Sequence, residues 1–313
     1  MAIGLPGCWS EQYRRDAGMK VSVCITTYNH GNYISQALES VLIQKTDFDF
    51  EIIIGEDDSN DGTREIVKKY KEQYPYKVRL FLNDRKNVIY INGRPTGRWN
   101  FMNNLRNARG DYIALLDGDD YWTSPDKLQK QADFLDSHPD YAMCFHDVRV
   151  ILEDESQFIG IAMPPGQKKT YTLEHLLKGN FMHTCSVMFR RGLFNEFPEW
   201  FHLAPLADWP LHLLNAQHGD IGYITGVMGT YRVHSGGIWS SEKRIQQLKK
   251  AIEVYRFVSA SLPPRYSGMV KRRIVVCRLQ MMEKRIGLFL KILRLNGIVD
   301  LYRRVFYPLC PPE

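Results

Sequence analysis

The sequence predicts an α/β chain: a doubly wound, mixed (mainly parallel) sheet with helices on both faces, plus a C-terminal helical extension. The strongest sign is alternation. Four apolar runs of strand length at 21–25, 51–55, 78–82 and 112–116 are separated by stretches with helical spacing, and a helix between two strands implies a parallel crossover. A second sign is the change after Ser240, where two long helical segments follow without strands between them. With 313 residues, 44% hydrophobic and 24% charged, the chain is long and apolar enough to bury a full core.

The elements follow in order. Val21-Ser22-Val23-Cys24-Ile25 is a β-type run that leads into Thr26-Thr27-Tyr28-Asn29, and residues 34–42 then take helical spacing. Residues 51–55 form a second strand that ends in Glu56-Asp57-Asp58-Ser59-Asn60-Asp61-Gly62-Thr63, ahead of a helix over 64–73. A third strand covers 78–82, a helix 99–108 and a fourth strand 112–116, which runs straight into Asp117-Gly118-Asp119-Asp120. In the second half, residues 127–137 read as a helix, 141–150 as a strand, 180–190 as a strand-like run, and 209–216 as an apolar helix preceded by Asp208. Helices are expected over 242–259 and 270–295.

In open α/β sheets ligands bind at the carboxyl ends of the strands, and three polar strand ends converge there: Thr27-Tyr28, Asp57, and the turn from Asp117 to Asp120. Carboxylates this close resist ionising together, so their concentration points to a cation, with a diphosphate as third party. No Walker loop follows a strand, and no G-x-G-x-x-G follows the first one, so phosphates are not expected in either backbone cradle. A calcium loop starting at Asp57 fails because its twelfth position is Lys68, where a bidentate Glu is required. Both acidic runs also have an ordinary reading as turns and helix caps.

Six cysteines without a C-x-x-C pair suggest neither zinc nor a disulfide framework. The formal charge of +6 is uneven: residues 265–313 hold eleven Lys/Arg against three Asp/Glu, which leaves a net −2 for the rest. The basicity is terminal and no nucleic-acid motif accompanies it, so no nucleic-acid partner is expected. There is no uninterrupted apolar stretch of 18 residues and no signal-like start, so a cytoplasmic protein is expected. Leu288, Ile292 and Leu295 share a helical face, with Leu290 and Leu293 beside them and Lys291 and Arg294 interleaved. That pattern suits peripheral contact with the cytoplasmic face of an inner or plasma membrane, or packing on the catalytic domain.

Between residues 20 and 240 the chain resembles the inverting family 2 nucleotide-sugar glycosyltransferases of GT-A fold. The resemblance is carried by Thr-Thr-Tyr-Asn at 26–29, Glu-Asp-Asp-Ser-Asn-Asp-Gly-Thr at 56–63, Asp-Gly-Asp-Asp-Tyr-Trp at 117–122, Asp208-Trp209, and Tyr-Arg-Val-His at 231–234. It implies an N-terminal extension at 1–18, a glycosyltransferase domain at 19–240 (nucleotide-sugar half 19–125, acceptor half 126–240) and a basic helical region at 241–313. Tyr28 and Asp57 match residues that hold the nucleotide base, supported by Thr26 and Thr27. Glu56 stands where relatives often have Asp. Asp117 and Gly118 belong to the D-x-D pair with Asp119, which meets a Mn²⁺ or Mg²⁺ ion; His234 is a further metal or diphosphate contact, and Asp208 the general base. Asn100 is placed toward the donor, and His183, Thr184 and Trp209 toward the acceptor.

The function so implied is metal-dependent inverting transfer from a nucleotide sugar, UDP on resemblance, to a saccharide or lipid-linked saccharide acceptor in polysaccharide or glycoconjugate synthesis. Two alternatives stay open: a non-catalytic nucleotide-sugar-binding scaffold, and a sugar-phosphate nucleotidyltransferase. The second would normally carry a Gly-rich loop where this chain has Thr-Thr-Tyr-Asn.

Overall fold

A computed structural model describes residues 18–153, 157–237 and 242–292, with side chains up to Ile286 in the last helix. The chain divides into two compact units, one of residues up to 203 together with 207–233, the other of 204–206 together with 234 onward. The first unit begins with β1 (Met19–Thr27), α1 (Ile34–Leu42), β2 (Asp49–Glu56), α2 (Thr63–Gln73) and β3 (Val78–Leu82). A small hairpin of β4 (Ile89–Ile91) and β5 (Arg94–Thr96) precedes α3 (Arg98–Asn107) and β6 (Tyr112–Asp117). The second half supplies β7 (Tyr121–Trp122), α4 (Lys127–Ser137), β8 (Tyr141–Leu152), β9 (Phe158–Ala162), β10 (Thr170–Tyr171), α5 (Leu173–Leu176), β11 (Met188–Arg190), α6 (Asp208–Asn215) and β12 (Asp220–Val233).

One sheet runs through the unit in the order β10-β12-β8-β11-β6-β1-β2-β3, with β7 on β12 and β9 on β8. The block β6-β1-β2-β3 is parallel, as helical crossovers require, and β11 then inserts antiparallel between β6 and β8. Val21, Val23, Ile25, Ile52, Ile54, Ala114 and Leu116 are all buried in one cluster, which α1 joins through Ile34, Ala37, Leu38 and Val41 at helical spacing. Truncating any of the larger ones to Ala is expected to cost about 2–5 kcal/mol.

The strand ends are held open by polar pins from α3. The Asn100 amide donates to Gly55 O at 2.8 Å, and the Asn104 amide to Ile25 O at 2.8 Å. Gly55 is obligatory there, because a Cβ would lie 1.8 Å from Asn100 Oδ1. Thr26 therefore sits beside Asp117 and Thr27 beside Glu56, at one level of the sheet.

Beyond the short elements that carry no sequence signal (β4, β5, β7, β9, β10 and α5), two longer stretches differ from the sequence expectation. Only Met188–Arg190 of the run 180–190 is a strand; ahead of it Ser186 N and Oγ both donate to His183 O, at 2.9 and 2.7 Å, and that turn takes the chain out of the sheet. β12, the longest strand, carries no strand signal in sequence because Gly222, Gly226 and Gly229 interrupt it. Each glycine has a local reason. A Cβ on Gly222 would lie 2.1 Å from the Phe134 ring, Gly226 sits at φ +120 inside a register shift against β8, and Gly229 packs on His146 and Trp122.

The second unit contains α7 (Arg244–Val258) and α8 (Ser267–Ile292), which pack on each other; Arg273 Nε donates to the Tyr255 hydroxyl at 3.4 Å. No helix among the described residues is long and apolar enough to cross a membrane.

Candidate active site

Two loops at the carboxyl ends of β1 and β2 are laced together. Asp57 N donates to Thr27 O at 3.1 Å, Asn29 N to Ser59 Oγ at 2.9 Å, Gly31 N to Asp61 Oδ2 at 2.8 Å and His30 N to Thr63 Oγ1 at 2.9 Å. Asn29 and Asp58 sit at φ 53 and φ 62, left-handed positions that Asn and Asp tolerate best after Gly. The lacing presents Tyr28 outward, 41% exposed, with the Arg85 guanidinium 4.7 Å from its ring centroid. Arg85 Nη1 also lies 3.9 Å from Asp57 Oδ2. Burial pushes the Asp57 carboxyl up to about 6, helped by the neighbouring Glu56 and Asp58 charges and opposed by Arg85. A flat aromatic face beside a buried acceptor suits a nucleobase.

Glu56 is engaged differently. Fully buried, it accepts Ser59 N at 2.6 Å and pairs with Arg64, which also reaches Asp58 and the carbonyl of Asn83. Asn100 is likewise buried, between Gly55 O and the Asn83 amide. Both residues brace the loops and neither faces the crevice.

β6 delivers the acidic turn. Gly118 N donates to Thr26 O at 2.9 Å, and a Cβ at this position would meet Thr27 Oγ1 at 2.6 Å and His30 Nδ1 at 2.8 Å. His30 in turn stands 3.7 Å from Asp119 Oδ2 through Nε2, and 3.3 Å from Thr27 Oγ1 through Nδ1. Asp120 is buried, where it accepts Arg232 N at 2.9 Å, while Arg232 Nε donates to Asp119 O at 3.1 Å. Burial pushes Asp120 well up and Asp117 up to about 8; the Asp119 and Asp208 charges push Asp117 further the same way, and a hydrogen bond with the Thr184 side chain opposes them.

Asp208 is the first residue of α6. Ala207 holds the N-cap position, so this carboxylate is not occupied in capping its own helix. The Asn180 amide donates to Asp208 Oδ2 at 3.0 Å, and the charge of Asp208 is felt by Asp117, Arg98, His183 and His212. His212 is buried beneath, held down to about 4 by desolvation, and finds no hydrogen-bond partner among the described residues. His183 is half-buried against the Tyr231 ring, with 4.8 Å between centroids. Trp209 points away from this group: it is buried, and its indole N–H donates to Leu176 O at 3.1 Å.

The structure thus brings together Thr26, Thr27, Tyr28 and Asp57 on one side, and Asp117, Gly118, Asp119, Thr184, His183 and Asp208 on the other. His234 lies in the second unit, where its carbonyl accepts Gly237 N at 3.1 Å. Sequence reasoning passed over His30, Arg85, Asn180 and Arg232 as site residues. His30 and Arg232 were within reach, since His30 follows Thr-Thr-Tyr-Asn directly and Arg232 is itself the second residue of Tyr-Arg-Val-His.

Among the described residues no three His, Cys, Asp or Glu side chains close into a ready-made metal cage. The donor set still fits a divalent cation shared with phosphates, which needs only one or two protein carboxylates. Asp117 and Asp119 offer these; burial is the main cause of the upward push on Asp117, and a cation would relieve the part added by the Asp119 and Asp208 charges.

The profile of Glycosyl transferase family 2 matches residues 22–197, more than half of the chain. The chain belongs to that family. An uncharacterised protein of Mycobacterium tuberculosis is 38% identical over 225 residues, 71% of this chain, which spans 61% of that relative's length. A putative teichuronic acid biosynthesis glycosyltransferase of Bacillus subtilis, TuaG, is 28% identical over 77% of this chain and 91% of its own. Among solved structures, Staphylococcus aureus TarS 1-349 in complex with UDP-GlcNAc aligns with a TM-score of 0.62 at 19% identity, over 84% of this chain and 73% of that one. The mannosyltransferase PcManGT of Pyrobaculum calidifontis, in complex with GDP-Man and Mn²⁺, aligns at 0.57 and 18% identity, over 85% and 73%. At such identities the structural likeness establishes the fold, a family 2 glycosyltransferase domain with a curled mixed sheet.

Proposed function

We propose that this glycosyltransferase moves a sugar from a nucleoside-diphosphate sugar, with UDP as the first choice, to a hydroxyl of a saccharide or lipid-linked glycan. Transfer proceeds with inversion at the anomeric carbon, in the assembly of a polysaccharide or glycoconjugate. The observation that carries this reading is the position of Asp208, uncapped at the start of α6 and close enough to Asp117 for their charges to interact. A base facing the acidic turn is what a single in-line displacement requires.

In this reading Tyr28 stacks on the base, Asp57 accepts a base N–H, and Arg85 holds the stacking face. Asp119, with Asp117, would hold Mn²⁺ or Mg²⁺, whose chemistry is to neutralise the diphosphate as it leaves. Asp208 takes the proton of the acceptor hydroxyl as the new C1–O bond forms and the bond from C1 to the phosphate oxygen breaks. The Asn180 amide fixes one Asp208 oxygen and leaves the other for that proton. His183 and Thr184 line the acceptor side. The nucleotide sugars named in the TarS and PcManGT structures support a donor of this class, and the name of TuaG supports a surface-polymer setting.

The competing reading is a scaffold that binds nucleotide sugar without turning it over. Asp208→Asn separates the two. Donor affinity is expected to stay within about threefold while transfer falls at least about a hundredfold. Unchanged transfer in that variant would remove Asp208 from the mechanism, and no transfer by the wild type toward any saccharide acceptor would favour the scaffold.

A further inference from the structure

α8 has two apolar faces where a helix packed on one neighbour needs one. Val270 and Cys277 are buried on the inner face, which also carries Arg273 and its bond to Tyr255 of α7. On the other side Val275, Leu279 and Met282 recur at i, i+4 and i+7, yet remain 51%, 48% and 55% exposed. Ile286 falls next in the same 4-3 spacing, and the sequence continues it at Phe289 and Leu293, whose side chains lie outside the described residues. Exposed cations border the stripe: Lys271, Arg272, Arg278 and Arg285.

We propose that this outer face of α8 seats the protein on an anionic lipid surface. The apolar stripe would enter the boundary between headgroups and acyl chains while the long basic side chains reach the phosphates beside it. Charge decides between lipid and a second copy of the chain. α8 carries seven Lys/Arg against one Glu, so pairing two copies along this stripe would bring the same cations together, whereas an anionic bilayer complements them.

The face expected from sequence is the one that carries Leu288, Ile292 and Leu295. Their own side chains lie outside the described residues.

The test is co-sedimentation of the full chain with vesicles of phosphatidylcholine alone and of equimolar phosphatidylcholine and phosphatidylglycerol. The wild type is expected to sediment only with the second. Leu279→Ser with Met282→Ser, two exposed sites whose change leaves the packed face intact, should lower the partition coefficient at least about tenfold. Arg272→Gln with Arg278→Gln should lower it by about fivefold per cation. UDP-induced thermal stabilisation that is the same in wild type and variants confirms that each variant is folded. Equal sedimentation with both vesicles, or binding unchanged by the serine pair, overturns the proposal. So does a wild-type dimer by light scattering that the serine pair dissolves, which would assign the stripe to a second copy.

Discussion

Gly118→Ala isolates the close approach on which the acidic turn depends. A methyl at 118 would stand 2.6 Å from Thr27 Oγ1, 2.8 Å from Thr27 Cβ and 2.8 Å from His30 Nδ1, all well inside van der Waals contact. Neither neighbour is free to retreat: Thr27 is buried with its carbonyl holding Asp57 N, and His30 is tied by its backbone to Thr63 and lies beside Asp119. Overpacking of this kind costs about 1–3 kcal/mol. If the folded state absorbs it, the melting temperature falls by about 2–4 °C per kcal/mol. If the turn shifts instead, Asp117 and Asp119 move off their positions and affinity for UDP with Mn²⁺ weakens by about tenfold, the equivalent of 1.4 kcal/mol. The assay is differential scanning fluorimetry with and without nucleotide, followed by calorimetric titration. Gly160→Ala is the control, since a Cβ there meets nothing within 4 Å and the residue caps no helix, and it should change neither quantity. A Gly118→Ala protein with wild-type melting and wild-type UDP affinity would refute the packing argument.

Asp57→Asn should weaken nucleotide binding yet raise stability near neutral pH. The folded carboxyl is pushed up to about 6 from an ordinary 3.8, so between those values the folded state holds a proton that the unfolded state has lost. Stability therefore falls as pH rises through that window and stays lower above it; the amide removes the penalty, worth about 1–3 kcal/mol, and melting scans from pH 4 to 8 should show the two proteins diverging. Lys127, fully buried with Nζ 3.9 Å from the Trp122 ring centroid and 2.6 Å from Gln131 Oε1, is pushed down to about 7 by desolvation. The folded state thus binds fewer protons than the unfolded one between about 7 and 10.5, so wild-type stability should rise with pH across that range, and Lys127→Met should flatten the rise.

The parallel block was legible because β1, β2 and β6 are buried on both faces and read as apolar runs, while its helices bury one stripe each. α1, β3 and α4 begin and end where the periodicity places them. β12 was not legible, because what fixes its glycines is the Phe134 ring and a register shift against β8, contacts distant in sequence. The site divides the same way. The acidic turn and the tyrosine loop were expected at strand ends from residue type, and the structure places them at the carboxyl ends of β6 and β1, side by side. Glu56, Asn100 and Trp209 looked equally suited to a ligand, and only the partners Arg64, Gly55 and Leu176 reveal that the fold engages them. Arg85 and Asn180 lie in loops without a pattern, and distance alone brings them to Asp57 and Asp208.

The most direct test of the donor site is calorimetric titration of UDP and GDP, each with and without Mn²⁺, into the wild type and Asp119→Asn. One nucleotide is expected to bind preferentially, its affinity to rise at least about tenfold with Mn²⁺, and that gain to vanish in Asp119→Asn while the metal-free affinity is kept. Nucleotide binding that ignores Mn²⁺ in the wild type, or a metal gain that survives in Asp119→Asn, would contradict the assignment of that site.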